Sequence, residues 1–479
     1  MTLADLAALV PILCVTAAGI ACMLAEALRA PGERLPISGL GQVGLVGAGI
    51  TAVLLWGRNT SSFGMVLADN FGLFVVLVLV VIGILTLLFS PPLVDRDGLP
   101  GGEYYALILF GLAGMMLMAM ATDLLLIFLA LEVLSLAVYV LTAIRRDAFG
   151  GAEAAFKYFM LGAFSSAFFL YGIAFAFGLS GSTGLDRLGS VVAADAMNQS
   201  PLALLALGLL LVGFAFKVSA VPFHMWTPDA YEGAPTIVAG FMSTSVKAAA
   251  FAAFTRVFLS ALEPLRPDWA PALWAIAAAT MVLGTVVGVA QTNLKRMLAY
   301  SSIAHAGYLL VALVSANDVG KSAVLFYLLV YGVTNLGAFA AIALLGTRDH
   351  PNDDLASYAG LSTRHPALAA TLAVFLLSLG GLPPTAGFVG KWYVFSAAVQ
   401  AGYYGLAVIG VLTSVVSIFF YLRVIVMMYM AAPTNVPAPA APSRAAVFAL
   451  AASVLATFYL GVLPGRLIDL ASRSIATIF

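Results

Sequence analysis

Four ionisable side chains stand in runs that offer them no water: Glu132 in Leu-Ala-Leu-Glu-Val-Leu, Lys217 in Phe-Ala-Phe-Lys-Val-Ser, Lys247 in Thr-Ser-Val-Lys-Ala-Ala, and Lys391 in Phe-Val-Gly-Lys-Trp. A charge at the centre of a membrane helix costs about 2.5–3.5 kcal/mol, so four unpaired ones would cost on the order of 10 kcal/mol. Pairing or neutralisation must offset part of that. Burial favours the neutral form of an amine and a nearby carboxylate favours the charged form, so a carboxylate that moves switches a lysine between holding and releasing a proton. A static ion pair, or a lysine reaching for the headgroups, is the plain alternative for any one of them. For the four together, proton transport is the better account.

Three further groups are secondary candidates. His305, in Ser-Ser-Ile-Ala-His-Ala-Gly-Tyr, sits amid hydroxyls and can pass a proton near neutral pH, or else is a hydrogen-bonded core histidine. Lys157 follows Glu153 by four residues, which fits a helical ion pair as well as a relay. His224 falls at a proline break, where freed carbonyls would bind it or water.

The elements that must position these groups are membrane helices. The 479 residues are 62% hydrophobic and only 9% charged, against about 25% charged in soluble domains. Cutting at Pro, Gly and charge clusters gives about fourteen spans of the roughly 17–25 residues that a bilayer needs. They run near 4–27, 37–57, 69–90, 103–120, 123–144, 152–179, 201–230, 234–260, 270–290, 296–315, 320–346, 367–400, 404–430 and 445–463. The fold class is therefore all-α and polytopic, with lipids as its surroundings. The start Met-Thr-Leu-Ala-Asp lacks the basic region of a signal peptide, so the first apolar run reads as a retained helix.

Two spans are interrupted. The seventh holds Pro222 and Pro228 in Pro-Phe-His-Met-Trp-Thr-Pro-Asp, and the twelfth holds Pro383 and Pro384 in Gly-Leu-Pro-Pro-Thr-Ala-Gly-Phe. Proline removes a backbone donor that hydrocarbon cannot replace, so such breaks are tolerated only against protein or an internal polar path. Placing Pro222 on Pro383 superposes helices four to eight on nine to thirteen, two five-helix units that lie oppositely in the membrane, as transporter sites are built. The expected division is 1–102 (three helices), 103–260 (first repeat), 261–430 (second repeat) and 431–479 (linker and last helix). Lysine and arginine favour the loops after odd-numbered spans, among them Arg96, Arg145, Arg146, Lys295, Arg296 and Arg348, which puts both termini outside.

Other chemistry is excluded or weak. Equal numbers of basic and acidic residues, 22 each, give no pull toward nucleic acid. Cys14 and Cys22 lack any cluster or zinc spacing, so no metal and no redox cofactor is expected in the chain. Gly39-Leu-Gly-Gln-Val-Gly44 matches the dinucleotide string, but no strand precedes it, and helix packing explains it better.

The broken-helix strings, from Phe214 to Pro235 and from Gly381 to Lys391, resemble those of the antiporter-like subunits of respiratory complex I, the NADH:quinone oxidoreductase, and most closely the bacterial subunit N branch, related to mitochondrial subunit 2. The resemblance covers essentially the whole chain. The lysine after Gly-Leu-Pro-Pro-Thr-Ala-Gly-Phe, and an end soon after the fourteenth span, favour that branch over its sisters. It implies fourteen helices with inverted repeats, and a proton path whose helix-five glutamate and helix-seven, -eight and -twelve lysines match Glu132, Lys217, Lys247 and Lys391, with Lys157 on helix six. It also implies a translocase subunit of the bacterial inner membrane, with FMN, iron–sulfur clusters and quinone held by partner subunits. The resemblance leaves two other expectations open: a subunit of a cation/proton antiporter, which shares the strings, and a scaffold that does not transport.

Overall fold

The computed structural model describes residues 3–29, 36–194, 200–348, 353–433 and 442–478. Twelve continuous helices are long and apolar enough to cross a membrane: α1 (Leu6–Ala27), α2 (Ile37–Leu55), α3 (Asn70–Asp97), α4 (Gly101–Met120), α5 (Leu124–Thr142), α6 (Phe149–Ser180), α8 (Thr236–Ala261), α9 (Glu263–Ala290), α10 (Leu294–Ser315), α11 (Asp318–Leu345), α13 (Tyr404–Met430) and α14 (Arg444–Val462). Two interrupted spans complete the fourteen: α7a (Pro201–Lys217) with α7b (Trp226–Gly233), and α12a (Pro366–Gly380) with α12b (Ala386–Gln400). Side chains that free the first backbone N–H groups from water mark several starts. Asp69 caps α3, Asp123 α5, Asn293 α10, Asn317 α11 and Ser443 α14.

Burial follows the bilayer. Nearly every residue of α8, α10 and α11 is enclosed, so these helices form the centre of the bundle. Outward stripes on α2, α6 and α13 are apolar, with Val43, Phe164 and Phe419 exposed, as surfaces meeting hydrocarbon should be.

Two local expectations fail for physical reasons. Instead of ending near residue 90, α3 continues through Pro91 and Pro92 to Asp97. The hydroxyl of Ser90 binds Thr86 O at 2.6 Å and the Tyr104 hydroxyl at 2.8 Å, and Arg96 donates to the carbonyls of Ala343 and Gly346 at the end of α11. These contacts tie the extended end of α3 to α4 and α11. Between α2 and α3, Thr60–Ser62 pairs with Val66–Ala68 as a small antiparallel hairpin, too short and polar to announce itself in the sequence.

The same backbone pairing recurs along the chain. Leu124 N donates to Thr183 O and Leu185 N to Thr122 O, and 170 residues later Leu294 N donates to Asp353 O and Leu355 N to Thr292 O. The two breaks also share a geometry, with left-handed Ser219 and Gly381 (φ 64° and 82°) followed by Ala220 N to Ala215 O and Leu382 N to Leu377 O. Their spacing is 162 residues, which sets Pro222 on Pro384 rather than on Pro383. A Pro-Pro pair leaves that register ambiguous in sequence; the backbone resolves it.

Candidate functional site

At the first break, Lys217 is the last helical residue of α7a, where the unsatisfied carbonyls of a helix end favour a cation. Its Nζ donates to Ser135 Oγ of α5 at 2.7 Å and lies 5.8 Å and 5.7 Å from the ring centres of Tyr139 and Tyr158. The break itself is satisfied by protein. Trp226 Nε1 donates to Phe216 O at 3.0 Å, Thr227 Oγ1 to Ser219 Oγ at 2.8 Å, and Val221 N to Thr280 Oγ1 of α9 at 2.9 Å. Trp226 also stacks on Tyr158, with centroids 4.1 Å apart, so one indole both closes the break and builds the wall beside Lys217.

Glu132 is half-buried one turn before Ser135 on the same helix. Its Oε1 accepts from Ser166 Oγ of α6 at 2.5 Å, and the carboxylate is within electrostatic reach of Lys217. Among the described residues, Glu132 and Lys217 form no direct ion pair. Each is instead held by a serine.

The remaining groups share the centre of the bundle. Lys217, Lys247 and Lys391 are 2%, 1% and 4% exposed. Lys247 follows a π-helical turn (Met242–Val246) and donates to Ser302 Oγ at 2.5 Å and to Ser302 O, both on α10. Ser302 Oγ also accepts from the Tyr331 hydroxyl of α11 at 2.8 Å. One turn on, His305 Nδ1 bonds Tyr327 at 2.7 Å and Nε2 lies 3.4 Å from Tyr421, which bonds Ser301 at 2.5 Å. His305 is within electrostatic reach of Lys247 and Lys391 alike. Lys391 donates to Ser414 Oγ of α13 at 2.8 Å and to Gly380 O, the last residue of α12a, at 3.0 Å. Both breaks therefore set a lysine at the carbonyl end of the first half-helix, one by position and the other by reaching back.

Lys157 and His224 stand apart from this centre. Lys157 is 46% exposed, paired with Glu153 at 2.8 Å and Asp229 at 3.3 Å. It lines a charged vestibule of about 430 Å³ with Asp229, Glu232, Lys295 and Arg296. Arg296 pairs with Asp229 at 2.8 Å and Glu232 at 2.6 Å, which links α10 to α7b. On the same side, the Arg348 guanidinium hydrogen-bonded to Asp147 holds that carboxyl below the usual carboxylate range. His224 is half-buried at the first break, and its Nδ1 has no hydrogen-bond partner among the described residues. The structure does not join it to Lys217.

Sequence reasoning missed two buried cations. Arg256 on α8 forks onto Asp69, with both contacts at 2.8 Å, and packs 5.0 Å from the centre of the Phe71 ring. Both partners lie near span ends, where charges are ordinary, so neither drew notice. Lys295 was counted as a loop charge, yet it is buried in the first turn of α10 and donates to the carbonyls of Glu232 and Ala234 at the end of α7b. A lysine between an Asn cap and an apolar helix was the available signal.

Comparison with known proteins bears on this geometry. The family described as NADH:quinone oxidoreductase/Mrp antiporter, TM matches residues 121–417. NADH-quinone oxidoreductase subunit N of Trichlorobacter lovleyi is 44% identical over 481 residues, covering 99% of this chain and 98% of that one. Its counterpart in Chloroflexus aggregans is 42% identical over 479 residues, with 99% and 98% covered. Among solved structures, a chain of respiratory complex I from Thermus thermophilus with bound aureothin superposes with a TM-score of 0.83 at 38% identity, covering 96% of this chain and 99% of that one. A chain of the Mrp complex from Dietzia sp. DQ12-45-1b shares the fold, with a TM-score of 0.83 at 21% identity and 100% and 98% covered.

Proposed function

The chain belongs to the antiporter-like membrane subunits of NADH:quinone oxidoreductase, in the subunit N branch, and from that membership we propose that it carries protons through the Glu132, Lys217, Lys247 and Lys391 row. As a multi-pass subunit of this enzyme complex it sits with other membrane subunits. In this reading the redox groups, FMN, iron–sulfur clusters and quinone, belong to those neighbours, and quinone reduction there drives the movement of charge here.

The observation that carries the reading is the polar filling of the bundle centre between Lys247 and Lys391. Lys247, Ser302 and Tyr331 form one hydrogen-bonded group, and Ser301 and His305, one turn away on α10, form the next with Tyr421 and Tyr327. Toward Lys217, the hydroxyls of Tyr158 and Tyr231 are buried without a partner among the described residues. Buried polar atoms ordinarily find a partner, internal water included, so these hydroxyls suit a hydrated step between Lys217 and Lys247. A void of about 10 Å³ beside His305, lined by Tyr331 and by Thr334, whose hydroxyl has no partner among the described residues, has the size of one water.

Protons enter through the charged vestibule on the arginine-rich face, taken as cytoplasmic, load Lys217, cross by Lys247 and His305, and leave past Lys391. Both termini then lie on the outer face, and residues 103–260 and 261–430 are the two half-channels. Glu132 is the switch: held by Ser166 it lets Lys217 release its proton, and turned toward Lys217 it holds the proton in place. Lys157 tunes entry through Asp229. His224 serves the break rather than the relay.

The test is Lys247→Met in the assembled complex, reconstituted into vesicles. Fewer protons moved per electron pair than in the parent is the expected result. An unchanged ratio, with the complex intact, removes Lys247 from the path.

A further inference from the structure

We infer that the groove between α4, α5 and α6 binds a phospholipid with an ammonium-bearing headgroup, phosphatidylethanolamine. The groove has a volume of about 610 Å³ and is walled by Leu107, Phe110, Tyr139, Val140, Phe156 and Phe159, with Glu103 and Arg146 at its mouth. Phe156, Phe159 and Val140 are 63%, 44% and 53% exposed, in a chain whose surroundings are hydrocarbon.

Depth favours an acyl chain over a neighbouring helix. On α4 the walls run from Glu103 to Phe110, which at 1.5 Å per residue is about 10 Å, and the other walls lie near the adjoining ends of α5 and α6. A partner helix would need a groove along the whole apolar thickness of about 30 Å. This one occupies a single leaflet.

The mouth selects the headgroup. Glu103 starts α4 and Arg146 follows α5, so an acid and a base face the same opening. Among the described residues neither is in an ion pair. Arg146 matches the phosphate and Glu103 the ammonium. Phosphatidylglycerol gives Glu103 no cation, and the trimethylated ammonium of phosphatidylcholine gives it no hydrogen-bond donor. Lipid binding here is independent of the relay, although Tyr139 is shared: one wall of the groove is the ring above which Lys217 sits.

The experiment uses the intact complex in nanodiscs with a phosphatidylethanolamine carrying a photoreactive group in its acyl chain, and maps the labelled peptides. Label is expected on segments 107–110 and 156–159, displaced by unlabelled phosphatidylethanolamine and not by phosphatidylcholine. Glu103→Gln and Arg146→Gln should each lower it about tenfold, the equivalent of roughly 1.4 kcal/mol. Leu107→Trp, which narrows the groove and leaves the mouth intact, should also lower it. Equal displacement by phosphatidylcholine, label indifferent to all three substitutions, or a photoreactive residue at position 156 that cross-links to another subunit instead of lipid would overturn the inference.

Discussion

Replacing Asp69 by Asn tests the energetic reading of the bundle where its magnitude is largest. Asp69 is fully buried; it caps α3 through Gly72 N at 2.8 Å and receives both arms of Arg256, itself 3% exposed. The amide keeps the size and an acceptor for the cap but removes the countercharge. Arg256 is then left with Ala119 O at 3.3 Å and the Phe71 ring. Removing one partner of a buried ion pair costs about 3–5 kcal/mol, because guanidinium cannot shed its charge. An unfolding entropy of about 2.1 cal/mol/K per residue gives a chain of this length about 1 kcal/mol/K, so the chain should leave the complex about 3–5 °C lower. The assay is graded heating of the purified complex, with the retained chain quantified by mass spectrometry. Asp69→Asn with Arg256→Met should recover most of the loss, since no charge remains unpaired. A single Asp69→Asn variant as heat-resistant as the parent would refute the reasoning.

Two further outcomes follow from the site. Ser135→Ala deprives Lys217 of its 2.7 Å acceptor, a contact to a charged group worth about 1.5–3 kcal/mol, and should slow proton movement about ten- to a hundredfold in reconstituted vesicles while Ser135→Thr restores it. Gly387→Ala should lower the amount of assembled chain in membranes, measured by native gel, because a Cβ there would stand 1.8 Å from Ser378 O across the second break.

The architecture was legible because hydrophobic thickness fixes span length and proline fixes the breaks; both are properties of single segments. Glu132, Lys217, Lys247 and Lys391 stood out for the same reason, as charges with apolar neighbours on both sides. What the chain conceals is the second partner of each contact. Ser135, Tyr331 and Tyr421 are unremarkable residues in apolar helices until folding sets them against Lys217, Ser302 and His305. Asp69 and Arg256 meet across 187 positions, and Lys295 became structural only when α7b ended above it. The one-residue difference in repeat register has a similar origin, since backbone conformation and not proline identity defines the break.

The most direct measurement of the central claim is the number of protons moved per electron pair by an assembled complex carrying Lys217→Arg. Arginine keeps the positive charge at the end of α7a but does not release a proton in a protein. The relay therefore predicts intact assembly with a reduced ratio, and a ratio equal to the parent's would show that Lys217 serves as a fixed charge and that protons pass elsewhere.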